Sequence, residues 1–273
     1  MHLDLEQTLK KYWNYNQFRP HQREIIQLIL QKRDGLVLLS TSGGKSICFQ
    51  LPSLLMEGLC VVISPLLSLM KEQIDELNQR GIPSIFISSE LNQEEQNLAI
   101  AEIQNRKYTF LYLSPEKATS QTFLELFSTI QISYFAIDEA HCISGWGHDF
   151  RAAYLDLVLL KQHFPKTPVV CFTATATEKT QKEIVELLRL NNPFNIKGEF
   201  DRENLAYNVV YAEQKWLELI RILKQSKGSS IVFIQNRKQT QAVCEFLRSY
   251  GLDADYFHAV RNVLSKSTNS YSY

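Results

Sequence analysis

The chain predicts an α/β fold, a parallel sheet with helices on both faces, and three observations carry that prediction. Short apolar runs alternate with longer amphipathic stretches along its 273 residues, the pattern that βαβ units produce. The run Leu36-Val37-Leu38-Leu39 leads into Thr41-Ser42-Gly43-Gly44-Lys45-Ser46, a glycine-rich turn set between a strand and a helix. The run Tyr134-Phe135-Ala136-Ile137 ends on Asp138-Glu139, two carboxylates at the carboxyl end of a strand, where ligands of open α/β sheets bind.

Taken in order, strands are expected at 36–39, 60–64, 84–88, 109–113, 134–137 and 169–172, each short, apolar and bounded by turn residues. Helices are expected between them at 20–31, 45–56, 66–80, 93–103, 122–127, 154–163 and 178–190. Such alternation calls for parallel strands covered on both faces. Beyond Phe200-Asp201-Arg202-Glu203-Asn204-Leu205 the pattern restarts, with helices at 214–224 and 238–250 and strands at 230–234 and 254–257. The expected organisation is therefore a nucleotide-binding lobe over 1–205 and the incomplete start of a second over 206–259. The Ser, Asn and Tyr tail at 260–273 is expected to be disordered on composition.

Glycines at 43 and 44 let backbone N–H groups approach phosphate oxygens, and a helix beginning there presents its positive dipole end. Lys45 is placed to neutralise β and γ phosphates, and Ser46 to bind Mg²⁺ through its hydroxyl. Asp138 suits a Mg²⁺ held through water, and Glu139 suits the water that attacks a γ-phosphate. An unrelated chain rarely supplies both halves of a Mg-nucleotide site in this order.

Composition narrows the partners. The formal net charge is zero, which argues against a protein that coats DNA with a wholly basic surface. Contacts to a phosphate backbone would rest on local Lys and Arg, on hydroxyls such as Ser64 and Ser114, and on backbone N–H groups. A serine at a strand end is equally a helix cap. The five cysteines, at 48, 60, 142, 171 and 244, are scattered, as in a reduced intracellular protein without a zinc site. No apolar stretch is long enough for a membrane span, and a cytoplasmic location is expected.

Further residues make a resemblance plain. Tyr15, Phe18-Arg19-Pro20 and Gln22 precede the phosphate loop. Asp138-Glu139-Ala140-His141 runs on through Cys142-Ile143-Ser144-Gly145-Trp146-Gly147-His148-Asp149-Phe150-Arg151, and Phe172-Thr173-Ala174-Thr175 closes the series. From about residue 12 to residue 259 the chain resembles the amino-terminal part of RecQ-family DNA helicases, within helicase superfamily 2.

That resemblance implies a RecA-like motor lobe plus the start of a second, with ATP and Mg²⁺ as cofactors and DNA as partner. It implies 3′ to 5′ movement on single-stranded DNA in recombination and repair. Tyr15 would stack on adenine while Arg19 and Gln22 hold it, and Thr41, Gly43, Gly44, Lys45 and Ser46 would take the phosphates. The stretches Ile63-Ser64-Pro65-Leu66-Leu67-Ser68-Leu69 and Leu113-Ser114-Pro115-Glu116 resemble motifs that touch the nucleic-acid backbone. Trp146 and Phe150 would stack on bases, with His148, Asp149 and Arg151 carrying loop movement back to the nucleotide. Thr173 and Thr175 would couple hydrolysis to movement.

Departures from the family pattern are His21 for a glycine, Gly145 for a glutamine and Ala152 for a proline. The resemblance stops after Phe257-His258-Ala259, inside a motif, as a frameshift would leave it. It would thus leave out the second lobe's arginine finger and the zinc module, so ATP binding is expected with weak turnover. Two other readings stay open, a nucleotide- and DNA-binding fragment without turnover and a superfamily 2 ATPase directed to RNA.

Overall fold

Seven strands form one sheet: β1 (Gly35–Leu38), β2 (Leu59–Ile63), β3 (Ser84–Phe86), β4 (Phe110–Leu113), β5 (Ile132–Ile137), β6 (Val169–Thr173) and β7 (Phe194–Lys197). Their spatial order is β3-β4-β2-β5-β6-β1-β7, and every described pairing is parallel. The structure is a computed structural model describing residues 4–40, 43–87, 91–145, 149–199 and 204–257. The chain divides into two compact units, Met1–Arg202 and Glu203–Tyr273.

In the first unit the period of two along each strand sorts side chains into two cores. Leu36, Leu38, Val61, Ile63, Leu111, Leu113, Phe135, Ile137 and Cys171 face one side. That side is covered by α5 (Gln93–Gln104), α7 (Gln121–Thr129), α8 (Val158–His163) and α9 (Glu178–Leu187). Val37, Cys60, Val62, Phe110, Tyr112, Tyr134, Ala136, Val170 and Phe172 face the other. There the cover is α2 (Gln22–Leu30), α3 (Lys45–Gln50) and α4 (Leu67–Gln79). Both alternate sets are apolar because both faces are covered, so the central strands read as unbroken apolar runs.

Two helices and one strand of this unit were not anticipated. Asp4 caps α1 (Leu5–Trp13) by accepting from Glu6 N, and Ser114 caps the single turn α6 (Pro115–Ala118). The edge strand β7 is only half apolar, with Asn195 and Lys197 outward, as suits a strand that must not recruit another. The helix expected over 45–56 stops at Gln50 and resumes as a 3₁₀ turn, Pro52–Leu54, because Pro52 has no N–H with which to continue the α ladder. That expected over 154–163 likewise divides into a 3₁₀ segment, Ala152–Leu157, and α8.

The second unit packs α10 (Lys215–Gln225) on α11 (Arg237–Ser249) through Ile220, Val243 and Leu247. Trp216 meets Phe246 edge to face, with ring centroids 5.0 Å apart. The strands expected at 230–234 and 254–257 do not form. Ile231 and Phe233 are 82% and 92% exposed. The apolar pattern is present, but a strand needs a neighbouring strand to continue its ladder of backbone N–H and C=O groups, and the described residues supply no such strand. The tail at 260–273 lies outside the described residues. No helix among the described residues is long and apolar enough to cross a membrane.

Candidate nucleotide site

The order β5-β6-β1 brings three loops to one edge of the sheet, those after Leu38, Ile137 and Thr173. Leu39 N–H donates to Thr173 O at 3.1 Å, and Gly43 N–H donates to Ser40 O at 2.8 Å, turning the chain into α3. Gly44 precedes that helix with φ +74°, and a Cβ there would stand 2.3 Å from Gln22 Nε2. A side chain would be both strained and obstructed. Gln22 is buried; its Nε2 donates to Gly44 O at 3.1 Å while its Oε1 accepts from Arg19 N at 2.8 Å. One amide thus orders the segment before α2 against the phosphate loop.

Lys45 Nζ donates to Leu39 O and Ser40 O at 3.3 and 3.4 Å, contacts long enough to yield to a stronger anion. Ser46 follows it at the start of α3, half-buried. Tyr15, 49% exposed, and Arg19 lie on the connection between α1 and α2. His21 within it has φ 66°, the left-handed region that favours glycine. Thr41 lies outside the described residues.

Asp138 leaves β5 buried, its N–H donating to Ile63 O at 2.8 Å and its Oδ1 accepting from Glu139 N at 3.0 Å. Burial first, and the Glu139 charge second, push its carboxyl up to about 6, against the smaller pull of Lys45 and His141. Glu139 has φ 49° and ψ 43°, a left-handed conformation that a non-glycine residue keeps only where its surroundings hold it. His141 Nδ1 stands 3.2 Å from Glu139 Oε2 and 2.8 Å from Thr173 Oγ1. Hydrogen bonds to Cys142 and Glu139 push the imidazole up to about 10, and the same bond from His141 holds Glu139 below the usual carboxylate range. Thr173 Oγ1 also accepts from Thr175 N and donates to Thr175 O, each at 3.1 Å. The carboxylate after β5 and the turn after β6 are joined through one imidazole.

The segment after His141 is anchored at both ends. Arg151 N–H donates to Cys142 O at 2.9 Å, Arg151 Nη1 donates to Pro65 O at 2.9 Å, and Tyr154 OH donates to Asp138 O at 2.8 Å. Asp149 Oδ2 lies 3.8 Å from His141 Nε2, and Phe150 is 44% exposed. Trp146 and His148 lie outside the described residues.

Lys45, Asp138, Glu139, Thr173 and Thr175 therefore meet at one edge, and Gln22 with Arg19 reaches the phosphate loop there through Gly44. The two serines are placed differently. Ser64 is 2% exposed and its Oγ has no hydrogen-bond partner among the described residues. Ser114 Oγ accepts from Lys117 N at 3.4 Å as a helix cap. Sequence reasoning passed over His141 and Tyr154. His141 sat inside a motif in which only the two acids had been given roles, and a buried tyrosine in an apolar stretch carries no sequence signal at all.

The DEAD/DEAH box helicase family model matches residues 19–184. The chain is 40% identical over 253 residues to the ATP-dependent DNA helicase RecQ of Haemophilus influenzae, covering 92% of this chain and 41% of that protein. It is 40% identical over 262 residues to the RecQ helicase of Pasteurella multocida, covering 94% and 42%. The chain thus spans about two fifths of the length of these relatives. The solved structure of the DUF1998 helicase MrfA bound to DNA and AMPPNP superposes with a TM-score of 0.66 at 18% identity, over 90% of this chain and 37% of that one, which speaks for the fold. The matched span holds the three loops after β1, β5 and β6, and the chain belongs to the DEAD/DEAH box helicase family, with sequence relatives of the RecQ type.

Proposed function

We propose that the chain is the ATP-binding motor portion of a RecQ-type DNA helicase, moving 3′ to 5′ on single-stranded DNA in recombination and repair. The observation that carries this reading is the edge where Lys45, Asp138 and Glu139 converge and His141 links Glu139 to Thr173. The relatives named as ATP-dependent DNA helicases support it.

The residues fit Mg-ATP. Asp138 is a buried carboxyl held up to about 6 by burial and the Glu139 charge, and a cation beside it would favour its ionised form. Among the described residues no group of three acidic, His or Cys side chains could cage a metal. Mg²⁺ bound with a nucleotide needs no such cage, since it usually keeps waters and phosphate oxygens beside one or two protein ligands. Ser46 and Asp138 would hold it, and when bound it would neutralise charge on the β and γ phosphates.

The protein's own groups divide the remaining work. The Gly44 N–H and those opening α3, with Thr41, cradle phosphate on the turn that Gly43 N–H closes onto Ser40 O, and Lys45 exchanges its long carbonyl contacts for it. Tyr15 offers a face to adenine, with Arg19 and Gln22 beside it. Glu139, kept ionised by His141, orients and deprotonates water. Movement of the turn at Thr173 and Thr175 reaches Glu139 through His141, and Arg151 carries it to Pro65. On the nucleic-acid side, α4 has no side-chain cap, so the first N–H groups of that helix, next to Ser64, are available to a phosphate. Ser114 contributes there as the cap of α6. Phe150, with Trp146, gives a stacking face, worth about 1–3 kcal/mol per base, and His148 completes that loop.

The first residues of the second unit are read as the opening of a second motor lobe, giving a division at 205/206. The resemblance assigns the arginine finger to later parts of that lobe, a group worth roughly 10³–10⁵ in turnover in related enzymes. For these 273 residues the expected outcome is nucleotide binding with feeble hydrolysis, at a cytoplasmic location. Nucleotide binding and ATP hydrolysis, each measured with and without a dT or rU oligonucleotide beside Lys45→Ala, test the reading. Nucleotide binding abolished by the substitution is expected, with a response to dT above rU. Strong turnover untouched by Lys45→Ala, or a response to rU alone, would overturn it.

A further inference from the structure

Two fully buried tyrosines hold the far end of the helix that begins at the phosphate loop. Tyr134 on β5 donates to Phe49 O, lies 2.7 Å from Ser53 Oγ and meets the Cys60 thiol on β2, contacts that do not reach α4. Tyr112 on β4 reaches further. Its hydroxyl oxygen accepts from Gln50 Nε2 at 3.1 Å, and its O–H donates to Gln73 Oε1 at 3.0 Å.

Gln50 is the last residue of α3, and Gln73 lies in the second turn of α4. One buried oxygen therefore joins the helix of the phosphate loop to the helix whose uncapped start faces the proposed nucleic-acid contact. Tyr112 itself stands two residues before Ser114 on the strand leading to the other such contact.

An apolar trio of the same volume would fill this space with no polar group to satisfy. What the polar chain adds is register: its bonds polarise one another, and a shift of either helix leaves a buried donor or acceptor unmade. Displacement of α3 is thus passed to α4 instead of being absorbed between them.

We propose that Tyr112 is a positioning residue that couples nucleotide occupancy to nucleic-acid affinity through Gln50 and Gln73. This rests on the nucleotide and DNA reading given above. The test measures the affinity of the chain for a fluorescent methylanthraniloyl-ATP with and without saturating dT oligonucleotide, in wild type, Tyr112→Phe, Gln73→Met and Tyr134→Phe. Coupled sites typically change one another's affinity by about 5–150-fold, and the wild-type ratio is expected in that range.

Tyr112→Phe and Gln73→Met should bring the ratio to within about twofold of one, a near-zero coupling, while each keeps nucleotide affinity in the absence of DNA. Tyr134→Phe removes an equally buried hydroxyl that does not reach α4, and should keep the wild-type ratio. Gln73 is half-buried, so its variant decides the matter if Tyr112→Phe does not fold. A wild-type ratio of one, or a ratio that Tyr112→Phe and Gln73→Met both preserve, overturns this inference alone. Equal loss of the ratio in Tyr134→Phe would show general loosening and also overturn it. A wild-type chain that fails to bind the analogue overturns the nucleotide reading, and this inference with it.

Discussion

Replacing Asp138 by Asn isolates the penalty of burying a carboxylate at the head of the sheet. Its carboxyl is displaced from 3.8 to about 6, chiefly by burial. At about 1.36 kcal/mol for each pH unit, this corresponds to about 3 kcal/mol. Because the folded-state value lies above the unfolded one, the proton favours the folded chain. The associated stability is full below 3.8 and is lost as pH rises through about 6. Asn carries no such titration, and its Oδ1 can still accept from Glu139 N, as Asp138 Oδ1 does at 3.0 Å. Its Nδ2 must find an acceptor, so about half of the 3 kcal/mol is the reasonable gain.

In thermal melts with EDTA at pH 8, Asp138→Asn should therefore melt higher than wild type. The rise should be several degrees, at about 2–4 °C per kcal/mol for a domain of this size. The difference should shrink as pH is lowered through about 6. With Mg-ATP present the order should reverse, because only the wild-type carboxylate gains a cation. A variant that melts below wild type at pH 8 in EDTA, or an advantage that is flat with pH, would refute the reasoning.

Two further predictions concern the frame around the site. His21 adopts φ 66°, a conformation that costs a non-glycine residue about 1–2 kcal/mol; part of the relief is offset by the larger unfolded-state entropy of glycine. His21→Gly should stabilise the chain by at most about 1 kcal/mol in urea titrations, and a clear loss would show that the His21 side chain holds the turn. At the opposite end of the sheet, buried Asp34 accepts from Lys161 Nζ at 2.8 Å, Val169 N at 2.9 Å and Asn191 N at 2.7 Å. Asp34→Ala leaves the half-buried Lys161 ammonium with only its 3.3 Å contact to Thr167 O, strips two N–H groups of their acceptor and should lower unfolding free energy by about 3 kcal/mol; a loss under about 1 kcal/mol would mean that water enters in its place.

By itself the sequence determined the class of fold and the chemistry of its edge. Apolar runs of strand length, separated by amphipathic helices, leave a two-face-covered parallel sheet as the economical solution. The glycines and lysine after β1 and the acids after β5 can be read directly, because local backbone needs and charge constrain those residue types. The tertiary structure alone decided three things. Strand order placed β6 between β5 and β1, so that His141 could bridge Glu139 to Thr173, a contact between residues 32 apart in the chain. It showed that the apolar runs at 230–234 and 254–257 form no strand, since strand pairing depends on a neighbouring strand and not on the run itself. It also turned Gln22 and Tyr112 into connectors of loops and helices: an amide or a phenol in the sequence gives no sign of its partner, and burial supplies one by making an unpaired polar group expensive.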